Sequence, residues 1–139
     1  MIALTDDMRR AFETALADGA PVIVATADPA TGEPDIAFKG SAMVFDAEHL
    51  AFWERAHGQT LRNLEANPRV CLLYRNAKTR LAWKFFGAAE LHRDGPLRQQ
   101  VMDRTIQVEL DRDPERRGIA VLIRVDRVVQ AGQVIMSRD

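Results

Sequence analysis

The chain has 139 residues, 47% of them hydrophobic, 28% charged and 6% aromatic, with 8 Gly and 6 Pro, a globular composition that excludes disordered and fibrous classes. Nineteen Lys and Arg against twenty Asp and Glu leave a formal charge of −1, which lacks the electrostatic footprint of a general nucleic-acid binder. A single compact domain over 1–139 is expected, able to fold without disulfides because a chain this long buries roughly two-thirds of its unfolded surface. The lone Cys71, in the apolar run Val70-Cys71-Leu72-Leu73-Tyr74, reads as a core-strand residue in a reducing compartment. No apolar run is long enough to span a bilayer, and Met1 to Asp7 lacks the basic-then-apolar order of a signal peptide, so a cytoplasmic, non-membrane protein is expected.

Thr5, with Asp6 and Asp7 behind it, reads as the start of a helix. A side-chain oxygen there can accept a free N–H, and acids favour the positive end of the dipole. Met8, Phe12, Ala15 and Leu16 recur at helical spacing up to Gly19. The β-branched run Val22 to Thr26, the turn-forming Asp28-Pro29-Ala30-Thr31-Gly32-Glu33-Pro34 and the segment Ile36 to Phe45 then predict a hairpin. After the turn Asp46-Ala47-Glu48, His49 to Trp53 predicts a third strand. A short helix opens near Thr60 and ends at Asn67-Pro68, because the residue before proline resists the α region.

Arg69 to Tyr74 and Leu81 to Leu91 predict two further strands, and Asp94-Gly95-Pro96 punctuates the chain. Leu97, Val101, Met102, Ile106 and Leu110 mark one longer helix, followed by a charged surface loop from Asp111 to Gly118. The last strand shows the clearest alternation, with Ile119, Val121, Ile123 and Val125 on one face. About six strands and three helices, mostly joined by hairpin turns, favour a mainly β (α+β) antiparallel barrel over a parallel α/β sheet.

The inventory of reactive side chains excludes several chemistries. His49, His57, His92 and Cys71 are scattered, so no zinc site is expected. Neither a Gly-x-Ser-x-Gly elbow nor a phosphate-cradling glycine loop is present. Two features point instead to an anion. The alternation of the second strand puts Asp35, Ala37, Lys39 and Ser41 on one face, around Gly40, where a ligand can approach closely; an edge strand carrying a protective lysine is the competing reading. His57-Gly58-Gln59-Thr60 opens a helix whose free N–H groups suit phosphate, with Thr60 as a plain N-cap the alternative. Were the two adjacent, Lys39, Ser41, Gln59 and Thr60 would together grip a phosphate monoester. Trp53 precedes this turn in sequence, while Trp83 shares a strand face with Phe85, so a flat ring has aromatic neighbours in both places.

The order of Asp-Pro-x-Thr-Gly-x-Pro, Ile36-Ala37-Phe38-Lys39-Gly40-Ser41, the segment Gly58-Gln59-Thr60-Leu61-Arg62-Asn63-Leu64-Glu65-Ala66-Asn67-Pro68-Arg69-Val70, and Phe86-Gly87-Ala88-Ala89-Glu90-Leu91 resembles the pyridoxamine 5'-phosphate oxidase-like family of FMN-binding split barrels, from about Thr5 to Val129. The resemblance implies a six-stranded Greek-key barrel, a homodimer, and one FMN in each of two clefts between subunits. It implies that Ala37, Phe38 and Lys39 follow the flavin ring and ribityl chain, and that Trp53 and Glu54 sit near the ring edge. Gln59 and Thr60 would hold the phosphate with help from Lys39 or Ser41, and Trp83 or Lys84 of the facing subunit would close the cleft. Gln59 stands where relatives carry lysine, which removes a positive charge. The true oxidase carries a basic substrate-phosphate site near the end of a longer chain, where this sequence reads Val134-Ile135-Met136-Ser137-Arg138-Asp139, so pyridoxamine phosphate oxidation is not the expectation.

The leading expectation is an FMN-dependent oxidoreductase whose donor is a nicotinamide or another small molecule. The alternatives are a flavin-binding electron carrier or sensor, a member of the superfamily binding F420 or haem, and a cofactor-free interaction barrel.

Overall fold

The computed structural model describes residues 1–138. Its elements in chain order are α1 (Asp6–Thr14), β1 (Val22–Ala27), β2 (Pro34–Lys39), β3 (Met43–Val44), β4 (His49–Glu54), α2 (Gln59–Ala66), β5 (Arg69–Asn76), β6 (Leu81–His92), α3 (Gly95–Arg104), α4 (Gln107–Leu110), β7 (Ile119–Gln130) and β8 (Gln133–Ser137). The strands form one antiparallel sheet in the order β2-β1-β5-β6-β7-β4-β3, with β8 on β7. The run β5-β6-β7-β4 is a Greek key, because β4 returns to lie beside the far strand of a three-strand meander.

The two ends of this sheet, β2 and β3, are consecutive in the chain and separated only by Gly40, Ser41 and Ala42. So short a link joins the ends only if the sheet curls round, which makes a barrel with an open seam. α1 lies at the barrel interior with Met8, Ala11 and Phe12 buried. The Phe12 ring meets Phe85 edge-on at 5.4 Å and stacks on Tyr74 at 5.8 Å, and Tyr74 in turn stacks on Trp83 at 5.5 Å. Each such buried aromatic contributes about 2–3 kcal/mol of transfer free energy. At the Phe86/Gly87 bulge β6 bends over β7, and a Cβ on Gly87 would stand 2.2 Å from the Arg124 carbonyl oxygen, so only glycine permits that approach.

A second, smaller core lies outside the barrel. Met43, Ala51, Trp53, Ala120 and Leu122 point away from the interior and pack against Val101 and Leu110 of α3 and α4. Among the described residues, no helix covers the outer surface of β1, β2, β5 and β6 in this way. Following the strand register, one row runs Phe38, Ile23, Leu73, Lys84, Val129, Val134, and the next runs Ile36, Ala25, Cys71, Phe86, Arg127. Phe38 and Ile36 are 68% and 70% exposed.

The antiparallel split-barrel class is as expected, with these differences. Among the described residues there are eight strands rather than six, because Gly40 to Ala42 interrupts the expected strand 36–45 and because β8 adds to β7. The described residues form four helices rather than three, since the expected helix from Leu97 to Leu110 breaks at Thr105 and Ile106, both with extended backbones. The segment Asp111 to Gly118 is not simply a surface loop: Asp113 and Gly118 are buried against Trp53. Cys71 faces the outer row, half-buried, rather than the core. Burial pushes its thiol up, against the opposing pull of Lys84 and Arg127.

Candidate functional site

The seam and the start of α2 carry most of the candidate residues. β2 ends one side of the sheet, so one flank of its backbone has no strand partner, and Phe38 and Ile36 project outward from it. Lys39, at the end of β2, turns the other way. Its Nζ lies 2.7 Å from Glu54 Oε1, with the two side chains 10% and 0% exposed. Glu54 Oε2 accepts the backbone N–H of His57 at 2.9 Å, so the same carboxylate fixes the approach to α2. The ammonium also sits 5.7 Å from the centre of the Phe52 ring.

Ser41 is buried, and its hydroxyl serves the main chain of Trp53. Oγ donates to the Trp53 carbonyl at 3.1 Å and accepts the Trp53 N–H at 2.9 Å. These bonds stitch the seam across Gly40, whose position is crowded by Glu109 of α4. Glu109 in turn lies 3.5 Å from Arg55 Nε.

The Trp53 indole is held on the far side of the sheet. Its Nε1 donates to Asp113 Oδ2 at 2.9 Å, the Arg98 guanidinium lies 4.8 Å over the ring, and Gly118 packs flat against it. Burial acts to raise the Asp113 carboxyl. The N–H groups of Arg117, Trp53 and Gly118 together with the Arg116 charge outweigh it and hold the group below the usual aspartate range.

α2 starts at Gln59 after Gly58, which offers no side-chain cap, so the first N–H groups of that helix stay free of local side chains. Beside them opens a cavity of about 420 Å³ lined by Asp28, Thr31, Glu33, Pro34, Asp35, Gln59 and Asn63. Its amides are already engaged. Arg62 Nη2 donates to Gln59 Oε1 at 3.1 Å, Gln59 Nε2 to Asn63 Oδ1 at 2.8 Å, and Asn63 Nδ2 to Thr26 Oγ1 at 3.0 Å. The lining has no cation, and among the described residues the Glu33 and Asp35 side chains have no ion-pair partner.

The structure thus brings Lys39, Ser41, Trp53 and Glu54 together at the seam, but as partners of one another. Gln59 faces the acidic cavity, and Thr60 is buried on α2. Ala37 and Phe38 lie on the edge strand. Trp83 and Lys84, on β6, are separated from β2 by β1 and β5. Trp83 is buried on Tyr74, whereas Lys84 is exposed on the uncovered outer face. Asp28, Glu33, Asp35 and Asn63 were not among the sequence candidates. The signal was present for Asp35, which shares a strand face with Lys39.

Tested against FMN, the group that the resemblance implies, the cleft fits unevenly. The unpaired edge of β2 and the apolar outer face suit a flat ring, but the cavity at α2 offers a phosphate dianion carboxylates and occupied amides. The residues present do not fit the phosphate end.

A curled antiparallel sheet with its seam stitched at β2 and β4, and with helices on one outer face, defines the split-barrel class. The sequence profile of the family described as pyridoxamine 5'-phosphate oxidase matches residues 8–128, and the chain belongs to that family. Among solved structures, it is similar to a candidate pyridoxamine 5'-phosphate oxidase from Lactobacillus delbrueckii, with 23% identity, a TM-score of 0.73, and coverage of 93% of this chain and 95% of that one. It is also similar to HupZ of Group A Streptococcus, with 22% identity, a TM-score of 0.73, and coverage of 98% and 99%. An FMN-binding protein from Syntrophomonas wolfei matches at 12% identity with a TM-score of 0.64, covering 91% of this chain and 90% of that one. At these identities the likeness establishes the fold. No curated protein sequence matches the chain. No helix among the described residues is long and apolar enough to cross a membrane.

Proposed function

We propose that this chain is a flavin-binding oxidoreductase subunit that works as a homodimer, with the flavin ring seated between the free edge of β2 in one copy and the outer face of β6 in the other. The observation that carries the reading is the uncovered apolar face. α3 and α4 shield one outer half of the barrel, while the row ending in Phe38 crosses six strands and the row ending in Ile36 five, with Lys84 and Arg127 as their charged members. Contiguous apolar surface of this kind marks an interaction site, and a second copy offers a face of matching shape and chemistry.

In such a dimer Ala37 and Phe38 would border the ring through backbone and side chain, and Lys84 of the second copy would approach it from the opposite side. Lys39 and Glu54 would act by holding the end of β2 in place. The redox step belongs to the ring, and the chain's share is to position it and exclude water. Membership of the family supports flavin as the ligand class.

The test pairs association with binding. Light scattering on the eluted protein should give the mass of two chains, and titration with flavin should quench ring fluorescence to saturation. Anaerobic addition of reduced nicotinamide should then bleach the visible band. A protein that stays monomeric and leaves flavin fluorescence untouched overturns the proposal. A flavin complex that no small-molecule donor reduces would replace oxidoreductase with electron carrier.

A further inference from the structure

We propose that the cavity at the start of α2 discriminates against the phosphate monoester of the flavin, so that this chain prefers a flavin whose ribityl chain ends in a hydroxyl. The inference rests on the flavin reading above and concerns the tail alone. Two observations carry it. The Glu33 and Asp35 carboxylates line the cavity with no cation among the lining residues and, among the described residues, no ion-pair partner of their own. Of the side chains that the resemblance assigns to a phosphate, Lys39 is paired with Glu54, Ser41 is bonded to the Trp53 main chain and Gln59 to Asn63, so that Thr60 adds only a neutral hydroxyl.

A terminal hydroxyl donates to a carboxylate, so the same lining that repels a dianion accepts a polyol. A dianion held about 6 Å from one carboxylate loses roughly tenfold in affinity even at the dielectric of bulk water. Drawing Lys39 away to restore a cation would leave Glu54 buried without its partner, which the fold resists. The free N–H groups at Gly58 and Gln59 remain as donors, and a neutral oxygen satisfies them without bringing charge against Glu33 and Asp35.

The experiment compares riboflavin with FMN by fluorescence titration at low ionic strength, on the full chain and on the isosteric double variant Glu33→Gln, Asp35→Asn. Both positions are solvent-accessible, and a melting curve verifies that the variant folds. The expected result is binding of riboflavin at least about tenfold tighter than FMN, with the gap narrowing in the variant and on adding salt. FMN binding as tightly as riboflavin, or tighter, overturns the inference and leaves the flavin reading standing. A riboflavin preference that the variant does not change also overturns it, since Glu33 and Asp35 would then not be its source. Saturation by neither compound overturns the flavin reading itself.

Discussion

Lys39 and Glu54 meet at 2.7 Å across the seam of the barrel, joining the last residue of β2 to the last residue of β4. Ser41 repeats the join two residues later through both main-chain groups of Trp53. Together they hold the two ends of a curled sheet that has no ladder between them.

Removing one member of the charge pair should therefore cost far more than a surface ion pair. Lys39→Met leaves Glu54 buried and uncompensated, and we expect a loss of about 3–5 kcal/mol in urea unfolding. The double variant Lys39→Met, Glu54→Met should recover only part of this, because the His57 N–H then loses its acceptor. A single variant as stable as the parent would show that the seam is held otherwise.

Asp113 should link stability to acid pH. Its folded pKa is lowered, so the stabilisation is complete above the ordinary aspartate value of about 4 and is lost as pH falls through the folded value. Asp113→Asn should lose roughly 1.5–3 kcal/mol at neutral pH. The parent's advantage over this variant should shrink below about pH 4, as followed by thermal melts along a pH series.

Gly118 lies where a Cβ would come 2.2 Å from the Trp53 ring. Gly118→Ala should push the indole from its place between Asp113 and Arg98 and destabilise the fold by about 1–3 kcal/mol. A shift in tryptophan emission should accompany the change in the unfolding midpoint. Unchanged emission together with unchanged stability would contradict this packing.

Phe38→Glu places a charge on the uncovered face without disturbing the interior, since Phe38 is 68% exposed. The expected outcome is a chain that still folds and, in sedimentation velocity, loss of the dimer proposed above. Flavin affinity should fall with the dimer if the ring sits between two copies as proposed.

The local grammar of the chain was enough for most elements. Thr5 capping Met8, the Asp28 to Pro34 hairpin turn, Asn67-Pro68 ending α2 and the alternation after Ile119 each act within a few residues, where backbone preference and periodicity decide. Element boundaries that depend on distant packing were not legible. The strand expected from Ile36 to Phe45 breaks at Gly40 because the sheet turns there to close on itself, and β8 forms because β7 offers an edge.

The candidate site divides along the same line. Residue types and spacing singled out Lys39, Ser41 and Trp53, the family resemblance added Glu54, and that family is the family of this chain. What each side chain does was set by which partner the fold brings within reach: Glu54 for Lys39, the Trp53 backbone for Ser41, Asp113 for the Trp53 indole, and two unpaired carboxylates beside Gln59. The sequence determined most of the strands, the class and the family, because these follow from short-range pattern and residue order. Only the tertiary structure decided which charges are spent on one another and which remain to meet a ligand, because that depends on distances between residues far apart in the chain.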